Sequence, residues 1–244
     1  MKTHVQIYEI FTYWLHLGIM EIAGDTTTKV ELAKNTFRVR NAISGRTVII
    51  TWIVGIVIVV ITSAIAFDGT VPDWERDLTL WFNRGPDWLF GPVWFVQQFG
   101  VLFAPVIAAL ILWFLTKEWF YLVPFSVLLG LKLFIEKAVV KNLVDRQRPF
   151  TSIGPEVNVR GGAFEGPSFP SGHTTTAFGL GMLLTAVVPP KWRPLPVAWA
   201  IATGISRLYF GEHNVLDVVA GAALGTMFAF ALWYVFLNRR VEAA

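Results

Sequence analysis

The sequence predicts an all-α protein, a bundle of six transmembrane helices with an extracytoplasmic active site. Three observations predict it. Hydrophobic residues make up 55% of the 244 and charged residues only 15%, with a mean hydropathy of +0.56; soluble domains run near 45–50% apolar and about 25% charged. Uncharged apolar runs recur at the length a bilayer demands, about 20 residues at about 1.5 Å each. The basic residues fall into alternate loops, as the positive-inside rule requires of a multi-pass chain. Twenty Phe and 11 Trp exclude a disordered chain, and a net charge of +3 is too mild to argue for nucleic acid. No cysteine is present, so disulfides, zinc-thiolate sites and thiol catalysis are excluded. No internal repeat is visible.

Residues 1–46 read as a cytoplasmic N-terminal extension. Within it, residues 10–20 are apolar but too short to span. Glu9 lies upstream and no A-x-A-like site follows, so an interfacial helix on the cytoplasmic leaflet is preferred to a signal peptide. The plainer alternative is an extension that folds weakly and does nothing catalytic. Residues 47–240 form the six-span domain. The first span, 47–67, is uncharged and rich in Ile and Val; the second covers 92–115. The third, 119–140, carries Lys132, Glu136 and Lys137. Lys132 and Glu136 are placed to pair on one helix face, and both lysines are read as structural. The fourth runs 171–188, where Pro189 and Pro190 stop it. The fifth, 195–206, is short unless it extends past Arg207. The sixth, 215–237, ends at Asn238, Arg239 and Arg240.

Alternation assigns Lys29, Lys34, Arg38, Arg40, Arg46, Lys117, Lys191, Arg193, Arg239 and Arg240 to one side. The other side holds Asp68, Asp73, Glu75, Asp77 and Asp87 against Arg76 and Arg84. Both termini are therefore expected in the cytoplasm of an inner (plasma) membrane protein. Trp74, Trp81 and Trp88 would form an interfacial belt at the outer side.

Three polar clusters sit at the predicted outer ends of the late spans. The first runs from Lys141 through Asp145, Arg146 and Gln147 to Arg148 and Pro149. The second is Pro170, Ser171, Gly172, His173. The third is Ser206 and Arg207, then His213 after five residues and Asp217 after three more. Lys141, Arg148 and Arg207 bring three cations to one face, and Arg forks match phosphate oxygens. Ser171 and Gly172 open a helix, where free N–H groups and the positive dipole end favour an anion. His213 and Asp217, four apart, share a helix face. The carboxylate can hold one ring nitrogen and leave the other free to attack. His173 is then available to protonate a leaving group. Such a set is a phosphoryl-transfer site. Taken singly, each part has a plain explanation: a structural histidine, snorkelling arginines, a well-capped helix start. Asp145 and Arg146 are read as solvated loop residues or rim contacts.

The clusters resemble the signature of the type 2 phosphatidic acid phosphatase superfamily, the lipid phosphate phosphatases: K-x6-R-P, then P-S-G-H, then S-R-x5-H-x3-D, with every defined position matched. The resemblance implies that His213 is the nucleophile that becomes phosphohistidine, that Asp217 orients it and that His173 is the general acid. It implies that Lys141, Arg148, Ser171, Gly172 and Arg207 bind the phosphate. Many relatives follow the nucleophile with Tyr-Pro-Ser, whereas Asn214, Val215 and Leu216 follow His213 here.

The expected function is hydrolysis of a lipid phosphomonoester or diphosphate at the outer leaflet: polyprenyl diphosphate, phosphatidylglycerophosphate or phosphatidate. No metal or other cofactor is expected, since neither H-E-x-x-H nor paired acidic ligands accompany the cations. A lipid-dependent phosphotransferase with the same site is the near rival, and a non-enzymatic lipid transporter or scaffold the distant one. Soluble vanadium haloperoxidases share the motifs, but six spans argue against that reading.

Overall fold

The structure is a computed structural model describing residues 26–162 and 166–241, with backbone alone for 137–139. The segment read as an interfacial helix, 10–20, lies outside the described residues, as does the side chain of Lys137. No strand occurs among the described residues.

The chain begins with α1 (Thr26–Thr36) and continues into α2 (Gly45–Ala66), whose start is capped by the Ser44 side chain accepting from the Thr47 N–H at 3.0 Å. Most of α2 turns outward: Ile49, Ile53 and Val60 are each more than half exposed, as lipid-facing residues would be. The next helix, α3 (Asp73–Asn83), lies at one end of the bundle. It is followed by α4 (Phe90–Gln97) and α5 (Ala104–Thr116). The expected single span over 92–115 is broken here. The helical stretches Asp87–Gly100 and Ala104–Thr116 meet at 76°. Gly100 explains the position of the break, because a Cβ there would stand 2.6 Å from the His173 carbonyl oxygen.

A long rod follows: α6 (Leu122–Leu131) runs into a π-wound stretch, Lys132–Val140, and a last turn, Lys141–Leu143. A single turn, α7 (Pro149–Ser152), precedes α8 (Gly172–Val187). Then come α9 (Pro194–Tyr209) and α10 (Val215–Leu232), the last continued by Trp233–Leu237 and Asn238–Val241. The fifth segment thus extends past Arg207 by two residues.

Helix α8 packs against both α9 and α10. The α8–α10 crossing is backbone on backbone: a Cβ on Gly221 would lie 2.5 Å from the Ser171 carbonyl oxygen, and one on Gly225 2.3 Å from that of Thr175. Small residues that let helices meet so closely are the usual device of membrane bundles. Here they press the Ser171 turn onto the start of α10. Phe125, Leu128, Leu180, Leu183, Leu224 and Phe228 fill the core below.

Among the described residues two helices, α2 and the rod Val215–Val241, are long and apolar enough to cross a membrane, or three if the bent pair is one span. The other segments expected to span differ in a physical way. α8 and α9 have 16 residues each, only about 24 Å, and the α6 rod carries charges. The two ends of the bundle differ in chemistry. At one end Lys34 meets Glu118 at 3.1 Å, Arg40 donates to the Thr36 carbonyl at 2.8 Å, and Asn238 holds Ile43. The signature residues gather at the other.

Candidate active site

Gly211 takes φ +71°, the left-handed region open to glycine, and turns the chain from α9 back toward α10. That turn sets Arg207, Glu212, His213 and Asp217 in one buried place. His213 does not share a helix face with Asp217, contrary to the expectation from their spacing. It stands before the helix, and Asn214 is the N-cap. The pair meets nonetheless because Asp217, three residues past the cap, reaches back. Its Oδ2 accepts from the Asn214 N–H at 2.8 Å and lies 3.4 Å from His213 Nδ1. Burial pushes the His213 imidazole down to about 4, with the Asp217 carboxylate pulling the other way. A neutral ring that keeps its proton on Nδ1, toward Asp217, would carry its lone pair on the nitrogen remote from that carboxylate.

The second cluster is fastened to the third through the backbone. The Ser171 N–H donates to the Asp217 carbonyl at 2.9 Å, and the Ser171 side chain accepts from Thr174 Oγ1 at 2.9 Å. Ser171 caps α8, Gly172 begins it, and His173 follows in its first turn. His173 has Arg207, His213, Lys132 and Arg148 as its charged neighbours.

The first cluster closes the ring. Arg148 is the N-cap of α7 and donates through Nη1 to the Glu212 carbonyl at 3.0 Å. Lys141 lies at the end of the π-wound rod, donating to the Pro167 carbonyl at 3.3 Å and pairing with Glu136 at 3.6 Å. Glu136 also takes Lys132 at 3.8 Å, the expected pair, and its carboxylate lies beside Gly172, whose Cβ would stand 3.0 Å away. All eight residues singled out in the sequence thus belong to one neighbourhood. Three cations, a helix N-terminus and two imidazoles can together hold a phosphate and exchange a proton and a phosphoryl group with it.

Several members were not anticipated. Arg207 is held by the carboxylate of Glu212 and by Gln97. Arg146, expected as a solvated loop residue or a rim contact, is instead fully buried between Glu75 and Asp217. Its neighbour Asp145 is exposed as expected. The misreading has a physical source: the partner is 71 residues upstream, on a helix whose acids look like surface acids. A third cation inside K-x6-R-P was the one available signal.

A helical bundle with helices long and apolar enough to cross a membrane, and with three cations around a buried histidine–aspartate pair, defines a class, and the comparisons give its family. The profile of the PAP2 superfamily matches residues 119–241. The lipid A 4'-phosphatase of Bacteroides thetaiotaomicron is 30% identical over 190 residues, 70% of this chain and 80% of that protein. The undecaprenyl-diphosphatase of Sulfolobus acidocaldarius is 28% identical over 158 residues, 64% of this chain and 71% of that protein. Among solved structures, the transmembrane PAP2 type phosphatidylglycerolphosphate phosphatase from Bacillus subtilis superposes with a TM-score of 0.62 at 23% identity, covering 75% of this chain and 94% of that one. The chain belongs to the PAP2 superfamily.

Proposed function

We propose that the protein is a membrane-integral lipid phosphatase acting through a phosphohistidine at His213. The observation that carries the reading is convergence. Three sequence clusters, separated by dozens of residues, meet at the buried His213–Asp217 pair through the Ser171–Asp217 and Arg148–Glu212 hydrogen bonds. In this reading Lys141, Arg148, Arg207 and the N–H groups at Ser171 and Gly172 bind the phosphoryl oxygens. The His213 nitrogen remote from Asp217 forms a bond to phosphorus as the lipid–oxygen bond to phosphorus breaks, and His173 gives the leaving oxygen a proton. Water, deprotonated by His173, then releases phosphate from His213. The cations do the neutralising that a metal would do elsewhere, so the activity is metal-independent.

The relatives support a phosphate or diphosphate on a membrane lipid as substrate, since those named act on lipid A and undecaprenyl diphosphate. We place six spans over 47–240, residues 1–46 on the cytoplasmic side as an extension, and the site on the outer face, from the separation of basic and catalytic ends. The test is turnover by purified protein of lipid A, polyprenyl diphosphate, phosphatidylglycerophosphate and phosphatidate, with and without an acceptor lipid. Phosphate release undiminished by excess chelator, and absent in His213→Ala, is expected. Activity lost in chelator and restored by magnesium or zinc, or phosphate passed only to the acceptor, would contradict it.

A further inference from the structure

Behind the histidine–aspartate pair, Asp217 is joined to two charged residues that are not defined positions of the signature, Glu75 and Arg146. Glu75, Arg146 and Asp217 are all 0% exposed. Arg146 Nη1 donates to Asp217 Oδ1 at 3.1 Å and to Glu75 Oε1 at 2.9 Å, while Nη2 donates to Glu75 Oε2 at 2.5 Å and to the Thr70 carbonyl at 3.2 Å. Glu75 Oε1 also accepts from the Leu216 N–H, in the first turn of α10, at 2.8 Å. The two oxygens of Asp217 are therefore divided: Oδ1 is fixed by Arg146, and Oδ2 by the Asn214 N–H next to His213 Nδ1.

We propose that Arg146 and Glu75 are positioning residues for the phosphoryl-transfer step, holding the Asp217 carboxylate against rotation and thereby aiming His213. Stability alone is a poor reason for such a cluster, because a buried ion triad is often no better than apolar residues of the same volume. Its place is the informative feature. Two carboxylates and one guanidinium leave a net charge of −1 facing the ring that turns cationic as its other nitrogen bonds to phosphorus. An arginine serves where a lysine would serve less well, since its planar fork ties both carboxylates at fixed angles. The fork also fastens α3 and the loop after the α6 rod to the start of α10.

This inference rests on the reading of His213 as the nucleophile. The experiment measures kcat and KM on the best-hydrolysed lipid of the panel, and inhibition constants for vanadate and inorganic phosphate, in Arg146→Gln, Arg146→Lys, Glu75→Gln and His213→Ala. Hydrogen-bond partners behind a metal-ligating imidazole typically matter by about 10–100-fold, and the same scale is taken for this one. That loss is expected in kcat for Arg146→Gln, and a smaller loss for Glu75→Gln, with KM and phosphate inhibition unchanged. Vanadate, which mimics the transferring phosphoryl group, should weaken by the factor lost in kcat. Arg146→Lys should recover part of the loss. Should Arg146→Gln fail to fold, Glu75→Gln decides alone, because it keeps the shape and the cation. Wild-type kcat in folded Glu75→Gln, or equal losses in kcat and phosphate binding, would overturn the proposal. Turnover persisting in His213→Ala would instead overturn the reading beneath it.

Discussion

His213 and His173 carry the same ring but different surroundings, and the proposed mechanism gives them different work. His213 is buried against Asp217, which leaves one nitrogen available. His173 lies in the first turn of α8 among Arg207, Arg148 and Lys132. In the proposed mechanism His173 gives its proton to the oxygen leaving the phosphate, and the negative charge of the bound substrate offsets the cations that otherwise disfavour the protonated ring. From a monophosphate that oxygen leaves as an alkoxide, whose conjugate acid is about as weak as water. From a diphosphate it leaves as phosphate, with a relevant pKa of about 6. General acid catalysis contributes roughly 10²–10⁴-fold, and the alkoxide needs most of it. His173→Ala should therefore slow a lipid monophosphate far more than a lipid diphosphate, whereas Arg207→Ala should slow both. Parallel measurement of kcat on the two substrates checks this, and an equal loss would make His173 part of the phosphate cradle. At this scale the sequence was legible wherever residue type and fixed spacing carried the chemistry: all eight signature residues meet. It was opaque where a partner came from afar, as Glu75 does for Arg146.

Helix α3 shows why that partner was hidden. Its outward face carries Trp74, Leu78 and Trp81, all exposed. Its inward face carries Glu75, Thr79 and Asn83, all buried, at a spacing of four. The amphipathic pattern is thus inverted from that of a soluble protein, with aromatics exposed and polar groups toward the site, so an acid in an acidic stretch reads as solvated when it is not. The same inversion suits a helix lying at a membrane interface, on either side. The broken second span was hidden for another reason, since nothing local in 92–115 announces that His173 will press on Gly100. Sidedness can be tested at these elements because the chain has no cysteine. Asn158 lies in the loop held by α3, and Arg239 at the far end of the α10 rod; both are exposed. Asn158→Cys should react with a membrane-impermeant reagent in intact cells, and Arg239→Cys only after permeabilisation. The opposite pattern would place the site in the cytoplasm.

For the whole molecule, the fold explains how so short a chain makes a site of three distant clusters. Glycines at the α8–α10 crossing set the depth of Ser171 against Asp217, and the turn at Gly211 returns His213 to the same level. Composition and run length made the helical class legible. They could not set the span count, because the 16-residue α8 and α9 are shorter than the apolar thickness they would cross. The central claim is that phosphorus passes through a covalent bond to His213. Purified protein given a lipid substrate radiolabelled in its phosphate, then quenched in alkali, tests it most directly, because phosphohistidine survives base and is lost in acid. The account predicts a base-stable, acid-labile label on the peptide containing His213, absent from His213→Ala, which neither labels nor turns over. Turnover by His213→Ala, or label on any other residue, would contradict it.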